Sequence, residues 1–438
     1  MPVVRLTFVG HASLLLEHDD VSLLCDPWLV GDAFNEGWAA WPRPLLSAEQ
    51  LERVTHLWIS HEHPDHLSIP TLRAIPAARR ARVTVLYQHH WSGEVVGFLR
   101  CLGFAEVVEL GHGVPVQLGT DLEVQLHQVG HEDAALTVRG GGRTVLDLND
   151  CKPSDAKLAR IRAAVGPVDV LVDQFSVAGW PGNPEDVARH RRTAAEVLDG
   201  MSRHVQVVEP RWLLPAASFV RFVSPENEYI NAVANPLAAV VARVGLDRTA
   251  VLHPGDGWDL DEPWTGTVDA LARHASAPAL PPGGLRRHEA RPLDEVVAAA
   301  EAGLASLRAA QHRGLLRRLR PVTFHLTDLD ERLLVDPGSG VRLLASGEAP
   351  TSCVVDASSQ AVWYAFGHRW GLTTLAISGR MRLHGDEAPF TRLKQVSAAT
   401  SCGIRSRGML RDAASRRGRS YLRRRWRDLV PELAARAG

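Results

Sequence analysis

Lysine is nearly missing from this 438-residue chain. It occurs only at Lys152, Lys157 and Lys394, so arginine supplies almost all of the positive charge. With abundant Ala and Gly, that bias predicts a GC-rich bacterial source. Cysteine is scarce too. Cys25, Cys101, Cys151, Cys353 and Cys402 are scattered, with no CxxC pair. An odd count of this kind argues against a disulfide framework and for reduced thiols. The start, MPVVRLTFVGHASLLLEHDD, lacks the basic head and long apolar core of a signal peptide. Reduced thiols and no such signal predict a cytoplasmic protein. No apolar run is long enough to span a membrane. Neither sign of charge dominates: the formal net charge is −1. No global field therefore favours nucleic acid or a membrane surface.

What is present is a globular composition, 45% hydrophobic and 23% charged, in a chain long enough for two or three domains. Short apolar runs bounded by Gly, Asp or His read as strands. They include RLTFVG, SLLLEH, VSLLCD, HLWIS, RVTVLY, FAEVVEL, LEVQLHQV, ALTVRG and TVLDLND. GGG at 140–142 predicts a hairpin turn. SAEQLERV predicts a helix with Ser47 as N-cap and Gln50 three residues on. PEDVARHRRTAAEVLDG predicts another, with Pro184 at its start and Gly200 after its end. The pattern is α/β (α+β). SAPALPPGG at 276–284 is a Pro/Gly-rich break. It predicts a first domain over 1–275, a linker over 276–292, a helix and small α/β domain over 293–404, and an arginine-rich tail over 405–438. The tail reads as a solvated helix or a partly disordered end rather than a nucleic-acid patch, because acids interrupt it and aromatics are few.

The chemistry concentrates in ISHEHPDH, residues 59–66, directly after an apolar strand. On an extended segment, His61 and His63 share a face and can reach one metal ion. Asp65 and His66 follow on a turn and face the same cavity from another side. The arrangement suits two adjacent metals. A polar surface loop is the plainer alternative, but a loop would not be expected to pack five metal-capable side chains behind a buried strand.

HxHxDH after a strand resembles the metallo-β-lactamase fold, an αββα sandwich. GHASLLLE (10–17) and LLCDPWL (23–29) resemble the opening hairpin of its lactonase-like and phospholipase D-like branch. The resemblance implies that Asp26 orients ligand histidines from behind, with a structural turn acid as the alternative. It implies His131 as the next ligand of the first metal, with Glu132 and His127 as competitors. Asp150 would bridge two metals, and Asp147 would be structural. The last family histidine is expected where Ala217 stands; His253, or more weakly Asp256, could substitute for it.

A closer resemblance runs through DPWLVGDAFNEGWAAWPRP, WISHEHPDHLSIPTLR, LNDCKP, DQFSVAGWPG and EPRWLLPAASFV. Together these look like the non-Rieske part of CMP-N-acetylneuraminate hydroxylases. That implies one or two iron ions, O2 as cosubstrate, and hydroxylation of an N-acyl amino sugar, a nucleotide sugar or a specialised-metabolite intermediate. Those hydroxylases carry a Rieske domain with two Cys/His ligand pairs. None of the five cysteines here forms such a pair, so a separate ferredoxin or reductase is the expected electron donor. Residues 321–336 and the GLTTLAISGRM segment also resemble a sterol-carrier-like unit, or else form a stabilising or dimerising domain. The second reading of the same ligands is a zinc or manganese hydrolase acting on an ester, lactone, amide or phosphodiester, in which Asp65 or Asp150 would serve the bound water. A non-catalytic metal scaffold is the third. For substrate contact the sequence offers Trp180, Arg191, Arg192, Glu228, Tyr229 and Asn231, each with packing or a solvated face as its alternative.

Overall fold

The computed structural model describes residues 4–130, 132–423 and 425. Its first part is two facing sheets. One has seven strands in the order 257–259, Arg5–Gly10, Ser13–His18, Val21–Cys25, His56–Ile59, Thr84–Gln88 and Glu106–Leu110. The other has six, in the order Trp212–Ala216, Val170–Gln174, Arg143–Asp147, Asp133–Gly140, Leu122–Val129 and Pro115–Gln117. Alternation along each strand explains the layering. Leu14, Leu16, Leu23, Cys25 and Trp58 face the second sheet, together with Leu126, Leu136 and Leu146. Their neighbours Leu15, Leu24, Leu57 and Ile59 point outward and are covered by Leu72, Val95, Val96 and Leu99 from two helices. Helices Asp155–Val165 and Val187–Val208 cover the far face of the second sheet through Leu158, Ile161, Leu198 and Met201. The result is helix, sheet, sheet, helix.

Strands 21–25, 56–59 and 84–88 run parallel, as do 143–147, 170–174 and 212–216. Their carboxyl ends therefore open at one rim of the sandwich, where ligands gather in open α/β sheets. Ser47 does cap the helix Ala48–Arg53, with the reciprocal Gln50 bond in place. The helix expected to begin at Pro184 and stop at Gly200 instead spans Val187–Val208. Met201, His204, Val205 and Val208 continue its buried face. That packing outweighs the roughly 1 kcal/mol that an interior glycine costs.

A second core gathers Val296, Leu304, Phe324, Val335, Val355, Val362, Leu375 and Phe390. It belongs to a five-stranded sheet, ordered Gly340–Leu343, Glu331–Asp336, Val322–Leu326, Cys353–Ala357 and Arg382–Gly385, packed with helices. Among the described residues, no helix is long and apolar enough to cross a membrane. Over its described residues the arginine-rich tail is largely exposed, including helix Met409–Ala414, but two of its arginines are anchored. Arg417 bonds Glu109 at 2.5 and 3.2 Å and the His90 carbonyl at 2.7 Å, and the buried Arg425 donates to the Gly130 carbonyl. Residue 424 and residues 426–438 lie outside the described residues.

Polar contacts fasten the second unit to a loop of the first. Phe34, Asn35 and Glu36 all have positive φ, 51°, 56° and 55°. Such a run is held only where its surroundings over-determine it. Asn35 and Gln360 exchange amide bonds of 3.0 and 2.9 Å. Arg380, 1% exposed, donates to the Asn35 carbonyl at 3.0 Å and to Glu226 at 3.3 Å. Removing one partner of such a buried network leaves the others unsatisfied. Arg380→Met is expected to destabilise the protein by about 2–4 kcal/mol in urea unfolding. A loss within experimental error would show that the loop holds its shape unaided.

Candidate metal centre

The site is built at strand ends, beginning with a buried carboxylate. Asp26 follows strand Val21–Cys25, and its backbone amide is held by the Trp58 carbonyl at 2.8 Å. Its Oδ1 accepts the Ser60 amide at 2.8 Å. Its Oδ2 accepts the Ser60 hydroxyl and the His66 Nδ1–H, both at 2.7 Å. The Ser60 hydroxyl oxygen in turn lies 3.0 Å from His61 Nδ1. With both Nδ1 positions engaged behind, His61 and His66 present Nε2 to the cavity. Asp26 thus sits where an orienting acid is expected.

Two groups of three potential ligands result, with donor atoms in each lying within 4.8 Å of one another: His61, His63 and Asp150, and His11, Asp65 and His66. Asp150 stands between them, its Oδ1 3.9 Å from His61 Nε2 and 3.6 Å from His66 Nε2. His61 Nε2 is 2.8 Å from His63 Nδ1, and His11 Nε2 is 3.2 Å from Asp65 Oδ2. His11 Nδ1, Asp65 Oδ1, His66 Nε2 and Asp150 Oδ1 are buried atoms without a hydrogen-bond partner. Buried polar atoms are normally satisfied. Four such exceptions in one cluster of imidazoles and carboxylates fit metal ions, and the nitrogen–oxygen donor set suits iron, zinc or manganese.

His11 is a residue that sequence reasoning missed. It occupies the turn between strands Arg5–Gly10 and Ser13–His18, at φ 50°. Its carbonyl accepts the Ala217 amide at 2.9 Å, so it lies beside the position where the last histidine was expected. The structure fills that place from the opposite sheet, and nothing local in GHAS announces it. His253 does not join the cluster. Its amide donates to Asp256 at 2.8 Å and its ring packs 4.8 Å from His274. Asp256 is engaged by Arg273 at 2.8 and 2.6 Å. His131 lies outside the described residues. Its competitors point elsewhere: His127 bonds Thr137 at 2.8 Å, and Glu132 accepts the Cys402 thiol at 2.9 Å. Asp147 is buried behind the site against the Asn149 amide, and burial followed by repulsion from Asp26 pushes its carboxyl up to about 8.

The cleft in front holds about 570 Å³ and includes Phe34, Trp38, Asp133, Lys152, Lys157, Arg160, Gln174 and Ile377 in its walls. Asp133, also missed, begins the strand beside Asp150. Burial, then Asp150, raises its carboxyl to about 7. The expected substrate residues are placed elsewhere. Trp180 packs under Arg189, 4.6 Å from its ring centroid, and against the second core. Tyr229 donates to the Gly182 carbonyl at 2.6 Å, and Asn231 clasps both backbone groups of Phe222. Arg191, Arg192 and Glu228 are exposed and are not cleft residues. The nearby cations are instead Arg160 and two of the chain's three lysines, Lys152 and Lys157, all within ten residues after Asp150.

Burial disfavours the His66 imidazolium, yet Asp150, Asp65 and Asp26 outweigh it and raise its pKa. Burial likewise opposes ionisation of Asp65, but His66 and His11 bring it down to about 2. The metal-free site therefore carries a proton on His66 at neutral pH, which an arriving metal must expel. Affinity should fall as pH drops below that raised pKa, with at least one proton released per site filled. Calorimetric titration with metal in buffers of differing ionisation enthalpy measures this; zero release would refute it. Asp26→Asn should weaken metal binding by about 10- to 100-fold.

Residues 5–185 match the family described as "Beta-lactamase superfamily domain". A putative Rieske 2Fe-2S iron-sulfur protein of Mycobacterium tuberculosis is 28% identical over 295 residues, covering 62% of this chain and 56% of that protein. The cytidine monophosphate-N-acetylneuraminic acid hydroxylase of Danio rerio is 26% identical, covering 52% of this chain and 40% of that protein. This chain spans about half the length of the curated relatives it matches. Among solved structures, CmlA, a diiron beta-hydroxylase from Streptomyces venezuelae, aligns with a TM-score of 0.36 and 22% identity, covering 66% of this chain and 53% of that one. The sandwich is a metallo-β-lactamase fold, its residues 5–185 match a β-lactamase-superfamily domain, and its homologues include CMP-N-acetylneuraminate hydroxylase-like proteins.

Proposed function

We propose that this chain is an iron- and O2-dependent hydroxylase of a polar small molecule, such as an N-acyl amino sugar, a nucleotide sugar or a specialised-metabolite intermediate. The observation that carries this reading is the pair of adjacent ligand groups, with Asp150 of one 3.6 Å from His66 of the other and His11 standing in for the absent histidine, in a chain with hydroxylase homologues. His61, His63 and Asp150 would hold one ion, with His131 proposed as a further ligand. His11, Asp65 and His66 would hold the second. Bound iron would supply the activation of O2 that oxidises a C–H bond. Electrons would come from a separate ferredoxin or reductase.

The chain's own residues prepare that chemistry. Phe34, Trp38, Val129, Ala178 and Ile377 give the cleft an apolar wall that excludes water. Lys152, Lys157, Arg160 and Gln174 form the polar side, which orients the substrate's charged or polar end. Asp133, poised near neutrality, can hold or release a proton at its carboxyl beside Asp150. The unpartnered Asp65 Oδ1 also favours a second reading, a zinc or manganese hydrolase in which Asp65 orients a water.

Elemental analysis and optical spectra of aerobically purified protein separate the two. Iron with O2-dependent product formation is expected. Zinc alone, with turnover indifferent to O2, would overturn the hydroxylase reading. His66→Ala should abolish loading of one ion, and Asp150→Ala should weaken both. With a substrate in hand, Lys152→Gln should raise KM by about three- to tenfold and leave kcat within about twofold, because the lost contact is made equally in ground and transition states.

A further inference from the structure

The second unit carries a concave, arginine-lined pocket of about 430 Å³ remote in composition from the metal cleft. Its walls come from Arg308 and Ala309 at the end of helix Leu293–Ala310, Arg313, Leu316 and Arg317 just after it, the turn at Pro337 and Gly338, and Arg407. Four arginines thus line one small space. Among the described residues, none of the four is in an ion pair. Asp336, beside Gly338, accepts the Gly338 amide at 2.8 Å and the Ser339 hydroxyl at 2.6 Å and forms an ion pair with none of the four.

The pocket is held in shape by contacts that do not consume its charge. Arg308 is anchored by the Pro337 carbonyl at 3.1 Å and the Asp336 carbonyl at 3.4 Å. Gln311 bonds the Ile404 carbonyl at 2.8 Å and accepts the Ser406 amide at 3.1 Å; the His312 amide donates to Ser406 Oγ at 2.7 Å. The Arg407 amide donates to the Ala310 carbonyl at 3.2 Å. These bonds fix Arg407 opposite the helix end, while Arg313, Arg317 and Arg407 remain open to solvent.

Like charges gathered without a counter-ion repel, and an anion that enters relieves that repulsion. Guanidinium forks match phosphate oxygens two at a time. We propose that this pocket binds a small phosphate-bearing anion through Arg313, Arg317 and Arg407, with the anchored Arg308 adding its charge from the wall; three open guanidiniums match a diphosphate better than a single phosphate. The volume lies within the range of roughly 300–1,000 Å³ for small-molecule sites. No aromatic residue lines it, so it lacks the stacking platform of a single-stranded nucleic-acid site. This assignment does not depend on which reaction the metal centre performs.

The test is calorimetric titration of the full chain with pyrophosphate and with orthophosphate at low salt. Saturable one-site binding is expected, tighter for pyrophosphate. It should weaken by at least about tenfold, or about 1.4 kcal/mol, in Arg313→Gln/Arg317→Gln, and less in Arg407→Gln. Melting temperature and metal content of these exposed-residue variants should match the parent. Lys152→Gln should leave the binding unchanged. No saturable binding would overturn the proposal. So would binding that survives the double substitution and disappears in Lys152→Gln, which places the anion in the metal cleft. Tighter binding of a single-stranded oligonucleotide than of pyrophosphate, lost in the same variants, would overturn the small-ligand assignment.

Discussion

A single buried carboxylate organises this molecule. Asp26 has no exposure to solvent and accepts bonds from a backbone amide, a hydroxyl and an imidazole. An ion so placed is tolerable only because each bond is made to its charged form. Those bonds tie the end of strand Val21–Cys25 to the end of strand His56–Ile59, and they select which nitrogens His61 and His66 turn toward the cavity. The two sheets exist to bring strand ends to one rim; Asp26 converts that rim into a set of aimed donors.

The metal groups then complete themselves from distant parts of the chain. His11 comes from a hairpin turn, Asp150 from the far sheet, and the HxHxDH turn from between them. Each contributes little alone. Their mutual charges bind them: three carboxylates hold a proton on His66, and His66 holds Asp150 and Asp65 ionised. The cleft adds a polarity split, aromatic and aliphatic on one wall and cationic on another.

Much of this was legible in the sequence, for physical reasons. The continuous apolar runs in SLLLEH and VSLLCD reflect strands buried on both faces, and Ser47 with Gln50 specifies a helix start by local bonds alone. ISHEHPDH concentrates its ligands within one turn, so spacing was enough. His11 was not legible, because its role arises from a contact between two sheets, and a lone histidine in a turn carries no period. The cationic wall was misplaced onto Arg191 and Arg192, which lie on an exposed helix face. The sparse lysines were the better signal: in a chain that otherwise uses arginine, Lys152 and Lys157 stand directly after a ligand. The tail's anchors were not legible, because Arg417 and Arg425 find partners hundreds of residues away, at Glu109 and Gly130.

The second unit touches both loops that bear the site. Trp370 and Arg369 hold Glu62, inside the HxHxDH turn, at 3.0 and 3.1 Å, and Cys402 holds Glu132, just before strand Asp133–Gly140. The Trp370 ring also stands 6.1 Å from that of His63. The two units are therefore not interchangeable modules. A recombination that joined this sandwich to a different partner would keep every ligand described here and still lose the outer brace of the ligand loops.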